Sequence, residues 1–256
     1  KNEYYVGEFR NGNCDGYGQF FSDSMEYEGL FESGFFHGDG ILSYHNHEIL
    51  KIKGTWFRGL LSGTSLIEYK NGSFYKGETR KNLPDGKGEM YYLKEKEKEI
   101  LYSGNFKKGV FHGYGTIYEK NSTSNYFYGE FKNGKKNGYG ELFINNKKVF
   151  YGYWNEDKKN GFGRQLGNKN RYLKKYYIDD VEWNEYHQKY GCNEEKDKCP
   201  ICINNFRKNS IVIKLDCKHC FHSHCLQTWF FKNRSCPVCR ADIKLVRPSR
   251  KRKLDN

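Results

Sequence analysis

Gly7, Gly29, Gly54, Gly77, Gly104, Gly129 and Gly152 recur at intervals of 22, 25, 23, 27, 25 and 23 residues. Self-similarity at a period of this size means one supersecondary unit stacked on copies of itself. Each unit reads aromatic-x-Gly-x-aromatic-x-x-Gly-x-x-x-Gly-x-Gly. The second aromatic is Phe9, Phe31, Trp56, Phe106, Phe131 or Trp154, with Thr79 the exception. Closing pairs are Gly16/Gly18, Gly38/Gly40, Gly86/Gly88, Gly113/Gly115, Gly138/Gly140 and Gly161/Gly163, while the third unit has Gly63 and then Ser65.

The two-residue period of a strand puts Tyr5, Gly7 and Phe9 on one face, and Gly16, Gly18 and Phe20 on one face of the next. Asn11-Gly12 and Asn133-Gly134 are two-residue hairpin signals. An apolar column follows each leading glycine by thirteen residues: Phe20, Leu42, Ile67, Met90, Ile117 and Leu142, then Gln165. The expected fold is therefore mainly β, a meander of about seven antiparallel hairpins over residues 1–167, ending at a more polar edge near Gln165. The aromatics are expected as core, with glycines that let rings approach the backbone. No helix is expected after the Gly-x-Gly pairs, so a nucleotide-binding reading fails. No carboxylate pair or Ser/His/Asp set stands out here, and the region reads as a binding or spacing platform.

Residues 199–240 carry a different signal: Cys199-x2-Cys202-x14-Cys217-x-His219-x2-His222-x2-Cys225-x10-Cys236-x2-Cys239. So short a stretch rarely buries enough apolar surface to fold alone. Thiolates and imidazoles in sets of four supply closed tetrahedral zinc sites, and eight donors imply two structural Zn²⁺ ions. Spacing alone also allows Cys220, as Cys217-x2-Cys220, and His224. Paired Cys-x2-Cys elements with histidines point to metal rather than to disulfides.

Charge is unevenly placed. Residues 1–167 carry 24 Lys/Arg against 21 Asp/Glu, residues 168–198 seven of each, and residues 199–256 thirteen against three. Residues 168–198 are expected to hold a capping helix and a linker. Asp179 would be the N-cap with Glu182 as its capping-box partner, and Trp183, Tyr186, His187 and Tyr190 would share one face. Cys192 to Lys198 read as polar linker, with Cys14 and Cys192 as ordinary thiols. The basic tail, 245–256, is a solvated segment or an import signal. No apolar run approaches the ~20 residues of a membrane span, and no signal peptide is evident, so a cytoplasmic and/or nuclear chain is expected.

Two resemblances sharpen these readings. The seven glycine units resemble MORN repeats. Residues 199–244 resemble a RING finger of the kind with two central histidines, also at Pro200, Ile201, Phe206, Phe221, Leu226, Trp229, Pro237 and Arg240. That likeness implies a small α+β zinc domain with interleaved ligands: Cys199, Cys202, His222 and Cys225 on one ion, and Cys217, His219, Cys236 and Cys239 on the other. Cys220 is then a spare thiol. It further implies a RING-type ubiquitin ligase whose partners are a ubiquitin-conjugating enzyme and ubiquitin. Ile201, Trp229 and Pro237 would face the conjugating enzyme, and Arg240 would hydrogen-bond both enzyme and ubiquitin. The repeats would be an arm for a protein substrate or scaffold, with nucleic acid not expected. A non-catalytic adaptor, disfavoured by Arg240 and the apolar triad, and a membrane-surface tether, disfavoured by the near-neutral repeats, are the alternatives.

Overall fold

The computed structural model describes residues 3–94, 97–182, 198–206, 212–230, 233 and 235–242. These fall into two units, 1–136 with 141–148, and 137–140 with 149–256. The first contains β1 (Tyr4–Arg10), β2 (Asn13–Phe21), β3 (Met25–Glu32), β4 (Phe35–Tyr44), β5 (Ile49–Phe57) and β6 (Leu60–Tyr69). It continues with β7 (Phe74–Arg80), β8 (Leu83–Lys94), β9 (Glu97–Lys107), β10 (Val110–Glu119) and β11 (Ser122–Lys132). β12 (Lys135–Ile144) is shared between the units. The second unit holds β13 (Lys147–Asn155) from Val149 on, with β14 (Lys158–Leu166), β15 (Tyr172–Ile178), β16 (Val181–Glu182), β17 (Val212–Lys214), β18 (Cys220–His222) and α1 (Ser223–Phe230). From β1 to β11, and again from β13 to β16, each strand pairs antiparallel with its sequence neighbours.

The register explains the repeat. Gly7 faces Gly18, Gly18 faces Gly29, and Gly29 faces Gly40. Gly77 faces Gly88, which also faces Gly104. These glycines form a stripe on the core face, and the ring two residues before each leading glycine lies flat over it. A Cβ on Gly40 would sit 2.2 Å from Tyr27 Oη, and one on Gly115 2.2 Å from Tyr102 Oη. The hydroxyl closes the arrangement by donating to a carbonyl three residues on: Tyr5 to Glu8, Tyr27 to Leu30, Tyr75 to Glu78 and Tyr102 to Asn105, at 2.6–3.0 Å. Tyr27, Tyr75, Tyr102, Phe127 and Phe150 are at most 1% exposed, a burial worth roughly 1.5–3 kcal/mol per ring. The first glycine of each closing pair has another task. Gly86 (φ +114°) and Gly161 (φ +101°) take backbone angles few other residues tolerate, next to the register slips in β7–β8 and β13–β14.

A further column, seven residues after the leading glycine, covers the buried ring from above. Phe36 stacks on Tyr27 with centroids 3.8 Å apart, and Phe111 stacks on Tyr102 at 3.9 Å. Later units use cations: Lys136 Nζ lies 5.0 Å from the Phe127 ring and Lys159 Nζ 4.4 Å from the Phe150 ring. Burial lowers the Lys159 pKa despite Asp180 and Glu182 nearby.

The third unit departs from the pattern in a self-consistent way. Ile52 replaces the tyrosine, so no ring lies over the glycine stripe, and Ser65 and Leu61 fill the space, their side chains reaching within 2.6 and 2.8 Å of a Cβ on Gly54. Ser65 Oγ and Thr79 Oγ1, both buried, hydrogen-bond at 2.8 Å, and Thr79 donates to the Gly63 carbonyl at 2.9 Å. The Thr79 exception is thus a polar pair in place of a ring.

Two expectations about the end of the stack need correction. The sheet does not close at Gln165: β15 pairs with β14 from Gly161–Tyr177 to Leu166–Tyr172. Gln165 instead accepts hydrogen bonds from Lys159 Nζ at 3.3 Å and Tyr177 Oη at 3.4 Å. Nor does a helix start at Asp179. Asp179 and Asp180 (φ +49° and +66°) form the two-residue turn between β15 and β16. Acidic residues that tolerate a left-handed backbone serve such a turn as readily as an N-cap. Asp180 then accepts from the Lys159 amide at 2.8 Å. Trp183, Tyr186, His187, Tyr190, Cys192 and the basic tail lie outside the described residues. Among the described residues no helix is long and apolar enough to cross a membrane.

Candidate metal centre

Two Cys-Pro-x-Cys-x segments, Cys199–Ile203 and Cys236–Arg240, fold alike. In each, the residue after the second cysteine takes a left-handed backbone, Ile203 at φ +64° and Arg240 at φ +57°. Its amide donates to the first cysteine's carbonyl, at 2.8 Å for Ile203 and 2.9 Å for Arg240. The first cysteine's amide is taken by a carbonyl just beyond the turn, Asn204 or Ala241. A β-branched residue is rarely held in this conformation, and Ile203 is also 72% exposed. The repeated Cys-Pro-x-Cys pattern was the sequence signal for this pair of knuckles.

Between them β17 pairs with β18, and His222 at the end of β18 runs into α1, which brings in Cys225. Phe206, Ile213, Leu215, Phe221, Leu226 and Phe230 form the core around Cys199, Cys225 and Cys236. The indole N–H of Trp229 donates to the Ser235 carbonyl at 2.8 Å and ties α1 to the second knuckle.

The donor atoms of Cys199, Cys202, His222 and Cys225 lie within 4.8 Å of one another, as do those of Cys217, His219, Cys236 and Cys239. Cys202 Sγ is 3.2 Å from His222 Nδ1, and His219 Nδ1 is 3.4 and 3.5 Å from the sulfurs of Cys217 and Cys236. A zinc ion with sulfur at ~2.3 Å and nitrogen at ~2.0 Å needs ligands about 3.5–3.8 Å apart. Both sets fit in chemistry and spacing. Cys220, on β18, stays outside both.

The backbone prepares the sulfurs unequally. Burial raises the Cys199 pKa, but N–H groups of Cys202, His222 and Ile201 outweigh it and the net shift is downward. The Ala241 amide leads the lowering of Cys239. Burial pushes Cys217 up to about 11 and Cys225 up to about 12. Metal entry therefore displaces protons from the buried thiols, and falling pH opposes it.

Ile201 and Trp229 are half-buried and lean on the same core, and Pro237 is half-buried on the second knuckle. Val238 beside it is 48% exposed, and Arg240 stands exposed at the knuckle's end. Tyr176, on β15, joins the core of the metal domain, a membership with no sequence signal.

A Ring finger domain model matches residues 197–240. A MORN repeat model matches six segments: 5–25, 27–48, 75–92, 102–123, 127–147 and 150–169. The third glycine unit, with its ring replaced, goes unmatched, although its two strands pair like the others. Similar proteins include E3 ubiquitin-protein ligase RNF149 of Homo sapiens, 37% identical over 57 residues, 22% of this chain and 14% of that protein. E3 ubiquitin-protein ligase RNF181 of Rattus norvegicus is 44% identical over 46 residues, 18% of this chain and 28% of that protein. E3 ubiquitin-protein ligase RNF133 of Macaca fascicularis is 41% identical over 54 residues, 21% and 14%. The chain spans less than a third of the length of these curated relatives.

Proposed function

We propose that this chain, which carries MORN repeats and a C-terminal RING finger, is a RING-type ubiquitin ligase with the repeats as its recognition arm. The observation that carries the reading is the pair of complete four-donor sets framed by Ile201, Trp229, Pro237 and Arg240. In this reading Cys199, Cys202, His222 and Cys225 hold one zinc ion and Cys217, His219, Cys236 and Cys239 the other. All four donors of each set are protein groups, so zinc is structural and the finger works by orientation. It holds a ubiquitin-loaded conjugating enzyme against Ile201, Trp229 and Pro237. No covalent ubiquitin intermediate forms on this chain.

The test is autoubiquitination by the full chain across a panel of conjugating enzymes. Ile201→Ala is expected to abolish binding to the active enzyme. Arg240→Ala should keep its zinc and lose on the order of tenfold in rate, about 1.4 kcal/mol of a contact made in the activated complex. Ligation by Arg240→Ala at the wild-type rate would remove that role.

For the repeats, a protein partner is favoured over an anionic membrane. An open groove of about 840 Å³ crosses the face opposite the aromatic core and includes Tyr17, Lys53, Lys76 and Tyr91. Lys98, Glu28 and Asp39 also line it, so three lysines face two carboxylates and its charge is mixed, whereas attraction to acidic lipid needs a surplus of clustered cations at roughly 1 kcal/mol each. Exposed Tyr17, Tyr114 and Tyr128 on that face are of the type enriched at protein interfaces. The full chain is expected to stay in the supernatant with anionic vesicles at ~150 mM salt, where exposed charges are screened beyond ~8 Å. Co-sedimentation that Lys53→Glu/Lys76→Glu removes would put the tether in its place.

A further inference from the structure

Tyr176 and Tyr177 are consecutive residues on β15, yet they are 4% and 5% exposed. Neighbours in a strand point to opposite faces, so β15 is covered on both sides. Tyr177 faces the aromatic core of the repeats, with its ring 5.4 Å from Phe150. Tyr176 faces the other way, edge-on to Phe162 at 5.4 Å. On that face the sheet is otherwise open: Tyr153 is 45% exposed and Phe162 39%. What covers Tyr176 is the finger, since its ring belongs to the same buried cluster as Phe206, Leu226 and Phe230, and α1 packs against β14.

We infer that the finger is docked on the end of the repeat sheet through Tyr176, and that the ligase works as a fixed head rather than a tethered one. Tyr176 is then a positioning residue: it touches neither conjugating enzyme nor ubiquitin. The docked side of the finger is its buried cluster, which leaves Pro237, Val238 and Arg240 accessible. Fifteen residues, 183–197, join Glu182 to Lys198. A flexible connection of that length would let a released finger wander roughly 20 Å. Docking removes this freedom and limits which lysines an activated ubiquitin can reach.

The lysine consequence rests on the ligase reading; the docking does not. Backbone ¹⁵N relaxation on the zinc-loaded full chain decides the docking, with one rotational correlation time expected for the finger and β13–β15. A distinctly shorter time for the wild-type finger would overturn the inference. Tyr176→Ala is expected to shorten the finger's time, with zinc content and β-sheet signal retained, and Tyr176→Phe to restore it. Should Tyr176→Ala prove too unstable to measure, the wild-type result still decides. Mapping of autoubiquitinated lysines adds a readout that lost stability does not mimic: few sites in wild type and Tyr176→Phe, more in Tyr176→Ala. An identical lysine set in Tyr176→Ala would overturn the positioning role. A common tumbling time without ubiquitin transfer by any conjugating enzyme would instead sink the ligase reading alone.

Discussion

Chelation of the purified chain is expected to unfold the finger while the repeats stay folded. The finger's core consists of about ten buried residues, three of them cysteines with their thiols in the donor sets. Structural zinc in small finger peptides contributes roughly 10–16 kcal/mol at neutral pH, more than a core of that size supplies. The repeats contain no donor set among their described residues and rest on stacked rings. Elemental analysis should return two zinc ions per chain, and chelation should leave the strand signal of the sheet nearly intact. His222→Ala should lower the zinc count, because the imidazole Nδ1 lies among three sulfurs that cannot close a tetrahedral site without it. Cys220→Ser, outside both sets, should leave the count unchanged. One zinc ion or none in the wild-type protein would refute the double site.

The second large effect is expected from a methyl group on the glycine stripe. At Gly104 a Cβ would meet Gly115 Cα at 2.5 Å, Tyr102 Oη at 2.6 Å and the Tyr114 carbonyl at 2.7 Å. Two of those atoms are backbone, so no side-chain rotation relieves the clash. The third can move only by lifting Tyr102 off the stripe, which breaks its bond to the Asn105 carbonyl and its stack on Phe111. Gly104→Ala should therefore destabilise the repeats by about 3 kcal/mol, the upper end for overpacking. In thermal unfolding that is a fall in Tm of roughly 6–12 °C. Gly134→Asn is the control. Its φ of +82° suits asparagine, and the nearest atom to a Cβ there is 3.9 Å away. Equal losses in both variants would mean that backbone freedom, and not ring contact, explains the stripe.

Both effects trace to features that are local in sequence. The hairpin turns, the period-two faces and the spacing of eight donors are each set within a few residues, where steric and coordination rules leave little choice. The seven-hairpin meander and the Cys-x2-Cys donor pairs were legible for that reason, whereas the interleaving of the donors into two quartets came only from the resemblance to a RING finger, because it joins residues about twenty positions apart. The column seven residues after each leading glycine was harder to see, because it holds Cys14, Phe36, Leu61, Pro84, Phe111, Lys136 and Lys159. These share no chemistry as side chains. What unites them is a position above a buried ring, which an aromatic, an aliphatic chain or an ammonium can fill.

The sequence by itself determined the repeating unit and the candidate metal ligands, since glycine, turn residues and thiols act through neighbours a few bonds or one strand away. Tertiary structure alone decided the fate of residues 172–182. Asp179 and Glu182 satisfy a capping box as written, but β14 offers an edge of unpaired N–H and C=O groups, and pairing with it buries Tyr177 on one face. A strand that meets both an open sheet edge and the apolar side of the finger gains more than an isolated helical turn, whose nucleation is unfavourable. Tyr176 belongs to the finger's core only because the chain folds back there, and no spacing in the sequence measures that distance.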